Sequence, residues 1–475
     1  MTAPAPASGK PAPLRSDSPA PQVGAATASP ARTDELLHGP ILPLLLRFSW
    51  PNMVAMLAIA LAAMAETAYV GQLGAGALAG MALVFPFVML QTMLSAGAMG
   101  GGVSSAVSRA LGAGNAAGAN ALAVHALWIG ITAGTAFMLL MEFFGATLMQ
   151  GLGGRGEALA QALAYGQVAF AGSVFVWVLN TLSSVIRGSG NMRVPSLTLL
   201  LVALAQVLLG GALGLGWLGG PAWGMRGVAA GGVLANAAGA LFLWAHLARG
   251  HGRVQLNVGA TPLVRKHLLD ILRVGAVACI SPLQTVLTIL ILTGLVASFG
   301  TQALAGYGIG TRLEFLLVPI AFAIGVASVP LVGMAIGAGN TARARQAAWT
   351  AAALATGLLG ALGLLVALAP QLWTLLYTRD AAVMASAAEY FLWAGPFYGL
   401  FGLGLSLYFS SLGAGKAIGP VLAGTLRLLV VAAGGAWLAH VGAPTWMIFA
   451  LVGLGMAVYG LGSVLFMKFT PWGPR

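Results

Sequence analysis

The chain has 475 residues, of which 59% are hydrophobic and 7% are charged, whereas about 25% of the residues of a typical soluble domain are charged. A soluble protein of this length would need polar surfaces for about three domains. The small number of charges therefore excludes a soluble enzyme and predicts that lipid surrounds most of the chain. The single cysteine, Cys279, excludes an internal disulfide and a Cys-rich metal centre.

Residues 1–39 are rich in Ala, Pro, Ser and Thr and have almost no apolar periodicity, a pattern typical of a disordered tail. They also lack the apolar core of a secretory signal peptide. We therefore expect a disordered N-terminal tail on the cytoplasmic side of a membrane.

After Pro40 the sequence contains twelve apolar segments, each long enough to cross a bilayer as a helix, which takes about 20 residues. The predicted spans lie near 41–70, 78–106, 119–146, 158–187, 194–217, 224–247, 273–298, 303–335, 345–368, 382–411, 418–439 and 444–467. The pattern predicts an all-α membrane protein with twelve transmembrane helices.

The basic residues lie almost entirely on one side of these spans. Of the 22 Lys and Arg residues, 17 fall in the tail, in the loops after even-numbered spans and at the C-terminus. Arg155, Arg226 and Arg379 fall on the other side, and Arg312 and Arg427 lie inside spans. By the positive-inside rule, both termini should be cytoplasmic. This distribution explains the net charge of +12 without a nucleic-acid partner.

The two halves of the sequence repeat each other. The segment 112–115, Gly-Ala-Gly-Asn, recurs at 337–340, a spacing of 225, and Ala77-Leu78-Ala79-Gly80 recurs 226 residues later at 303–306. We therefore predict an N-terminal six-helix lobe at 40–247, a basic linker at 248–268, a C-terminal lobe at 269–468 and a short tail at 469–475. Because six is even, both lobes enter the membrane from the same side. The repeat is therefore parallel, as in two-lobed secondary transporters.

The sequence contains a misplaced and an incomplete version of two motifs that are typical of nucleotide-binding enzymes. Gly151, Gly153 and Gly156 match the dinucleotide pattern, but they lie in a loop between spans and not in a βαβ unit. Lys416 is followed by Ala417, and position 410 is Ser, so a phosphate-binding Walker loop is missing. We expect no cofactor and no resident metal. Uphill transport would then depend on an ion gradient.

An acid late in the first span is the strongest candidate for ion coupling. The position 226 residues after Glu66 is Leu292, so the repeat does not require an acid there. A carboxyl in an apolar cavity can hold a proton near neutral pH and release it when water or a cation arrives. Glu66 also lies nineteen residues after Arg47, about 28 Å along a helix. A coupling acid in a cavity and a solvated acid at the membrane surface therefore both remain open.

Other charges inside spans need partners, because a lipid-exposed charge is costly. Arg312 and Glu314 are two residues apart and point to different sides of a helix. Glu314 could instead pair with Arg427 of span eleven, either as a static buried pair or as an ion or substrate site. Glu142 and Glu389 lie close enough to span ends to be solvated.

Several motifs together resemble the multidrug and toxic compound extrusion (MATE) family over roughly residues 40–468. The first span runs from Pro51 to Glu66 and continues into Tyr-Val-Gly-Gln-Leu-Gly at 69–74. Arg-Ala-Leu-Gly-Ala-Gly-Asn follows span two at 109–115, Ile-Arg-Gly-Ser-Gly-Asn ends span four at 186–191, and Tyr-Gly-Ile-Gly-Thr-Arg-Leu-Glu lies in span eight at 307–314.

The resemblance implies a monomeric, multi-pass antiporter of the bacterial inner membrane. Such a protein exports small organic, often cationic compounds in exchange for protons or sodium, through a cavity that opens alternately to each side. It also implies that Glu66 is the coupling acid, that Pro51 is the hinge where the first helix bends, and that Asn180 neighbours Glu66 in the first-lobe ion site.

Two departures from the family pattern bear on the coupling ion. Gln206 and Gly210 occupy positions where the family often has Asn and Asp, and Gln284 and Thr285 occupy the place of an acid in span seven. These losses favour protons over sodium, because a hard cation prefers several oxygen ligands, including charged ones.

The sequence favours an antiporter over two other functions. A lipid-linked precursor flippase of a related two-lobed fold is the alternative, but it would need a basic cavity, and only Arg312 and Arg427 lie within spans. An intramembrane enzyme would need clustered catalytic or metal-binding residues, and the sequence has no such cluster.

Overall fold

A computed structural model describes residues 30–217, 219–220 and 222–473, and within these ranges the regular structure is helical, without strands. A short helix, α1 (Pro30–His38), precedes the first lobe. The helices of the first lobe are α2 (Ile41–Val70), α3 (Ala75–Thr92), α4 (Gly100–Gly112), α5 (Ala116–Gly151), α6 (Gly156–Ala171), α7 (Ser173–Gly188), α8 (Arg193–Leu215) and α9 (Met225–Ala248). A π-helical segment, Met93–Met99, joins α3 to α4.

The second lobe follows a connection at residues 249–264. Its helices are α10 (Arg265–Ala278), α11 (Ile280–Ala297), α12 (Thr301–Gly337), α13 (Thr341–Leu368), α14 (Gln371–Thr374), α15 (Ala381–Ala394), α16 (Tyr398–Gly413), α17 (Ile418–His440) and α18 (Thr445–Phe469). The last residues of the predicted linker, 265–268, are thus already helical.

The twelve predicted spans are confirmed. Eleven helical segments in the described part of the chain are each long and apolar enough to cross a membrane. The pair α6 and α7, bent by 48° across Gly172, completes the set as a broken span. A side chain at Gly172 would begin 2.4 Å from Val233 of α9, so glycine allows the bend to pack against that helix.

The two lobes use the same local structures to begin and pack their helices. The side chains of Asn115 and Asn340 cap α5 and α13 by accepting a hydrogen bond from a backbone N–H three residues on, at 2.7 and 2.9 Å. Each Asn follows a glycine with positive φ, 73° at Gly114 and 77° at Gly339. The residues are 225 apart, so the parallel repeat in the sequence is also a repeat of structure.

Small residues in the two lobes allow equivalent helix contacts. Gly80 of α3 lies against Ala162 of α6, and its counterpart Gly306 of α12 lies against Ala387 of α15. In both cases a Cβ added to the glycine would be 2.8 Å from the alanine nitrogen. Backbones in lipid adhere by this kind of close approach.

We call the side of the molecule that carries the ends of α4, α7, α9, α12, α16 and α18 the basic face. The lobes meet near this face, where α4 crosses α12. An added Cβ on Gly112 would lie 2.2 Å from the carbonyl of Met334, and one on Gly337 would lie 2.1 Å from that of Arg109. These contacts are repeat counterparts of each other, so the crossing lies on the pseudo-twofold axis and closes the molecule at the basic face.

The predicted disordered tail at 1–39 is wrong at its C-terminal end, because 30–38 form α1; residues 1–29 lie outside the described residues. Glu35 accepts a hydrogen bond from Arg47 at 2.7 Å. The guanidinium of Arg343 donates to the carbonyls of Leu36 and Gly39 at 3.0 and 2.6 Å. Contacts with both lobes therefore hold a segment that is too polar to pack by itself.

Candidate functional site

Glu66 lies inside the first lobe. It is one turn before the end of α2, as the count from Arg47 predicts, yet it is only 4% exposed. The side chain is therefore enclosed by protein, which does not fit a headgroup-solvated acid at the surface.

Two neutral donors hold the carboxylate of Glu66. Tyr165 of α6 donates its hydroxyl to Oε1 at 2.9 Å, and Gln206 of α8 donates its side-chain amide to Oε2 at 2.7 Å. The site thus joins three helices of the first lobe and brings together two of the candidate residues, Glu66 and Gln206. We call these three residues, with Tyr69, the Glu66 cluster.

Tyr69 explains why the second acid of the family pattern is missing. It lies one turn after Glu66 on α2 and is 4% exposed. A Cβ added to Gly210 would lie 2.3 Å from the Tyr69 hydroxyl, so an aspartate at 210 would collide with it. Within the described residues that hydroxyl has no hydrogen-bond partner, which leaves a polar atom available beside Glu66.

Asn180 does not lie in the Glu66 cluster. Its amide donates to the hydroxyl of Ser95 in the π-helical segment at 2.9 Å. Asn180 and Tyr165 lie on opposite sides of the bend at Gly172, fifteen residues apart along the broken span. Because Tyr165 is bonded to Glu66, this separation keeps Asn180 away from the acid that the resemblance assigned to it.

A second acid is held in the second lobe. Glu314 of α12 accepts a hydrogen bond from the hydroxyl of Tyr390 on α15. It also lines a small cavity of about 20 Å³ together with Leu317, Tyr398 and Met456, large enough for about one water molecule. We call Glu314, Tyr390 and Arg427 the Glu314 cluster.

The direct ion pair suggested between Glu314 and Arg427 is not found among the described residues. Arg427 of α17 is 8% exposed. Its guanidinium donates to Thr285 of α11 at 3.2 Å and lies 5.1 Å from the ring centre of Tyr459. A cation–π contact and one hydrogen bond thus hold Arg427, for which the sequence suggested a pair with Glu314.

Arg312 lies apart from both clusters. Its side chain is exposed, and its guanidinium lies 5.0 Å from the ring centre of Tyr377. Its position two residues from Glu314 directs it away from the lobe interior, as the sequence analysis predicts.

Pro51, the predicted hinge, lies inside α2, which runs unbroken from Ile41 to Val70. A proline has no N–H to donate, so the carbonyl four residues earlier, that of Arg47, lacks its helical partner. The neighbouring Asn52 donates to the carbonyl of Ala323 in the second lobe at 3.4 Å. This weak point of α2 thus lies where the two lobes touch, and its role as a hinge stays a prediction.

The two tyrosines that hold the acids are not among the residues predicted from the sequence. Tyr165 and Tyr390 are 225 residues apart, the spacing of the repeat, and each donates its hydroxyl to an acid of its own lobe. Following the repeat register through the fourth and tenth spans would have identified both.

Within the described ranges, no group of three or more His, Cys, Asp and Glu side chains could hold a metal ion. Each cluster therefore contains a single acid, held by a hydroxyl and an amide group in the first lobe and by a hydroxyl group in the second. Such an arrangement can bind and release a proton or contact a polar solute.

Comparison with known families gives a match over both lobes. The family model MatE matches residues 51–210 and 278–438. These two segments include every residue of the Glu66 and Glu314 clusters.

Among characterised relatives, a probable multidrug resistance protein NorM of Thermotoga maritima is 29% identical over 62% of this chain and 63% of its own length. The chain thus spans less than two thirds of that relative. An FAD transporter of Shewanella oneidensis is 27% identical over 66% of this chain and 69% of its own length.

Solved structures share the fold over nearly the whole chain. A MOP-superfamily transporter from Pyrococcus furiosus superposes with a TM-score of 0.83 at 24% identity, covering 92% of this chain and 97% of that one. A MATE-family transporter in an outward-facing conformation superposes with a TM-score of 0.82 at 23% identity, covering 92% and 97% of the two chains.

Proposed function

The chain belongs to the MATE family, and from that premise we propose that it is a secondary antiporter that exports small organic, often cationic compounds in exchange for protons. In this proposal the protein works as a monomer in the bacterial inner membrane and is not an enzyme. The basic face is cytoplasmic, as the positive-inside rule requires.

The observation that carries the proposal is the buried carboxyl of Glu66 with neutral partners. Removing a carboxylate from water is costly unless hydrogen bonds or a cation compensate. Tyr165 and Gln206 supply two such bonds but no positive charge. A proton or a cationic solute would each neutralise the acid, so the two can compete for it.

The partners of Glu66 suit a proton site because they can serve both protonation states. A tyrosine hydroxyl can donate or accept, and a glutamine amide offers a donor or, when turned over, an acceptor. Sodium would instead need several oxygen ligands, and Gln206 presents its nitrogen to Glu66 in this arrangement. These features support proton coupling over sodium coupling.

The closed contact between the lobes supports an outward-facing assignment. At the basic face Arg109 of the first lobe pairs with Asp270 of the second at 2.8 Å, and Ser105 donates to the carbonyl of Gly413 at 3.1 Å. Alternating access then requires these contacts to break. In this proposal, bending of α2 at Pro51 couples the protonation state of Glu66 to the opening of the basic face.

The other candidate residues take supporting roles in this proposal. Asn180 ties the π-helical segment to α7, and Arg312 lies at the lobe surface. Glu314 and Arg427 form a polar core that shapes the second lobe and contacts cargo at its edge.

The test is transport of a fluorescent organic cation in inverted membrane vesicles, with proton and sodium gradients imposed separately. We expect uptake with the proton gradient alone, and loss of that uptake in Glu66→Gln. Glu142→Gln, which changes an exposed carboxylate, is the matched control and should transport normally. Full transport by a well-folded Glu66→Gln variant would contradict the proposed mechanism. Uptake driven by sodium alone would contradict it as well.

A further inference from the structure

A wide crevice opens at the basic face between the lobes. It has a volume of about 840 Å³ and lies between the ends of α4 and α5 in the first lobe and those of α10 and α12 in the second. A drug-sized ligand typically occupies about 300–1,000 Å³. None of its lining residues belongs to either acid cluster, and the proposed antiport through Glu66 does not use it.

Positive charge dominates the lining of the crevice. Arg109, Arg265, Lys266 and Arg273 line it, whereas Asp270 is the acid among its lining residues. Asp270 is engaged by Arg109 at 2.8 Å. Three of the basic residues are exposed: Arg265, Lys266 and Arg273. The crevice therefore presents an excess of positive charge to a solute. His267 also lines it, with its ring 5.1 Å from that of His125.

The deeper lining of the same crevice is apolar. Ala110 and Ile336 are partly exposed and line it, and the nearly buried Ala106 and Leu122 contribute to the same lining. At the outer edge Leu269 is 50% exposed next to the basic residues. A ligand that fits must therefore carry an anionic group and an apolar part, which excludes a fully hydrated inorganic ion as the best match.

The position of the crevice fits one such ligand. The spans end at this level, where lipid headgroups lie at the boundary of the hydrocarbon core. Basic pockets between transmembrane helices on the cytoplasmic side are suited to phosphate headgroups. We propose that this crevice binds an anionic phospholipid, with its phosphate at Arg265, Lys266 and Arg273 and its acyl chain against the apolar lining. Because the lipid contacts both lobes, it binds preferentially to the conformation that is closed at the basic face.

The test measures lipid binding to the full-length protein in detergent by native mass spectrometry and by the lipid-dependent shift in the midpoint of thermal unfolding. The probes are palmitoyl-oleoyl phosphatidylglycerol, the zwitterionic phosphatidylcholine with the same chains, and soluble glycerol phosphate. The test variant is Arg265→Gln/Lys266→Gln/Arg273→Gln. The matched control, Arg193→Gln/Arg249→Gln/Lys468→Gln, removes three other exposed basic residues near the same face.

We expect phosphatidylglycerol to bind more tightly than phosphatidylcholine, and the test variant to weaken phosphatidylglycerol at least about tenfold, since each basic residue contributes to attraction of anionic lipid. The control should bind as the unchanged protein does. Equal binding by the test and control variants would overturn the site, and equal binding of the two lipids would overturn the headgroup assignment. Equally tight binding of glycerol phosphate would show a soluble anion in place of a lipid. None of these outcomes depends on transport.

Discussion

The two lobes place a tyrosine at the same repeat position and use it to hold different acids. Tyr165 donates to Glu66, which comes from α2, the first span of its lobe. Tyr390 donates to Glu314, which comes from α12, the second span of its lobe. The tyrosine positions correspond across the repeat and the acid positions do not.

The surroundings of the two acids differ in charge. The positions that correspond to Glu66 and Gln206 in the second lobe are Leu292 and Val431, which are 5% and 1% exposed. The position that corresponds to Arg427 in the first lobe is Val202, 8% exposed. The first lobe thus contains an acid with neutral partners, whereas the second contains an acid and a cation. A proton changes the net charge of the first core from negative to neutral, and this difference is the reason why we propose the coupling site in the first lobe.

Exchanging each acid for its amide gives the largest expected contrast. Glu66→Gln removes the exchangeable proton and should lower proton-driven uptake in vesicles to that of empty vesicles. Glu314→Gln should keep most of the uptake but lower the thermal stability of the protein, because it removes the charge that offsets Arg427. We expect this cost to be about 1–3 kcal/mol. A loss of uptake in Glu314→Gln with normal stability would make the lobes equivalent and contradict the assignment.

The twelve spans and the repeat could be predicted because both depend on long-range patterns of apolar residues and on motifs at a fixed spacing. The helix α1 could not, since contacts of Leu36 and Glu35 with distant residues hold it in place. In a polar N-terminal segment such contacts leave no periodic signal.

The candidate site was predicted in part. Glu66 and Gln206 meet because they lie at the same level of neighbouring helices. The position of Asn180 could not be derived from its span alone, because the bend at Gly172 and the partner Ser95 are properties of the folded lobe. The absence of a side chain at Gly210 fits the structure because the Tyr69 ring occupies the space beside it. This contact joins two helices, and sequence spacing does not reveal it.

Removing the tyrosine hydroxyls should produce a smaller contrast of the same kind. Tyr165→Phe leaves Glu66 with one donor, and a hydrogen bond to a charged group contributes about 1.5–3 kcal/mol. We expect proton-driven uptake to fall about tenfold. Tyr390→Phe should change uptake less than twofold, because its acid is not the coupling group. Initial rates in vesicles with matched protein levels measure both, and equal losses would indicate that both acids couple.

The glycine that lies against Tyr69, Gly210, allows a test of packing in the two lobes. Gly210→Ala brings a methyl group to 2.3 Å from the rigid Tyr69 ring's hydroxyl, whereas its counterpart Gly435→Ala meets the end of the Leu295 side chain at 2.4 Å. Overpacking costs about 1–3 kcal/mol, and a leucine end can rotate away more easily than a tyrosine ring. Thermal unfolding in detergent should therefore show a larger loss for Gly210→Ala.

Removing the colliding hydroxyl serves as the control for that packing effect. Tyr69→Phe/Gly210→Ala should regain most of the lost stability, because the ring carbon that bore the hydroxyl lies 3.4 Å from the added Cβ. A double variant as unstable as Gly210→Ala would place the conflict elsewhere in α8.

The smallest expected effect concerns a feature that both lobes share. Asn115→Ala and Asn340→Ala each remove the side-chain cap of the helix that follows, and loss of such a cap costs about 0.5–2 kcal/mol. Because the two caps accept from corresponding backbone N–H groups and follow glycines of the same conformation, the two variants should lower the thermal midpoint equally and leave uptake unchanged. A clear difference between them would mean that the lobes differ in stability throughout. The contrast between the two acids could then reflect that general difference and not the charge of their surroundings.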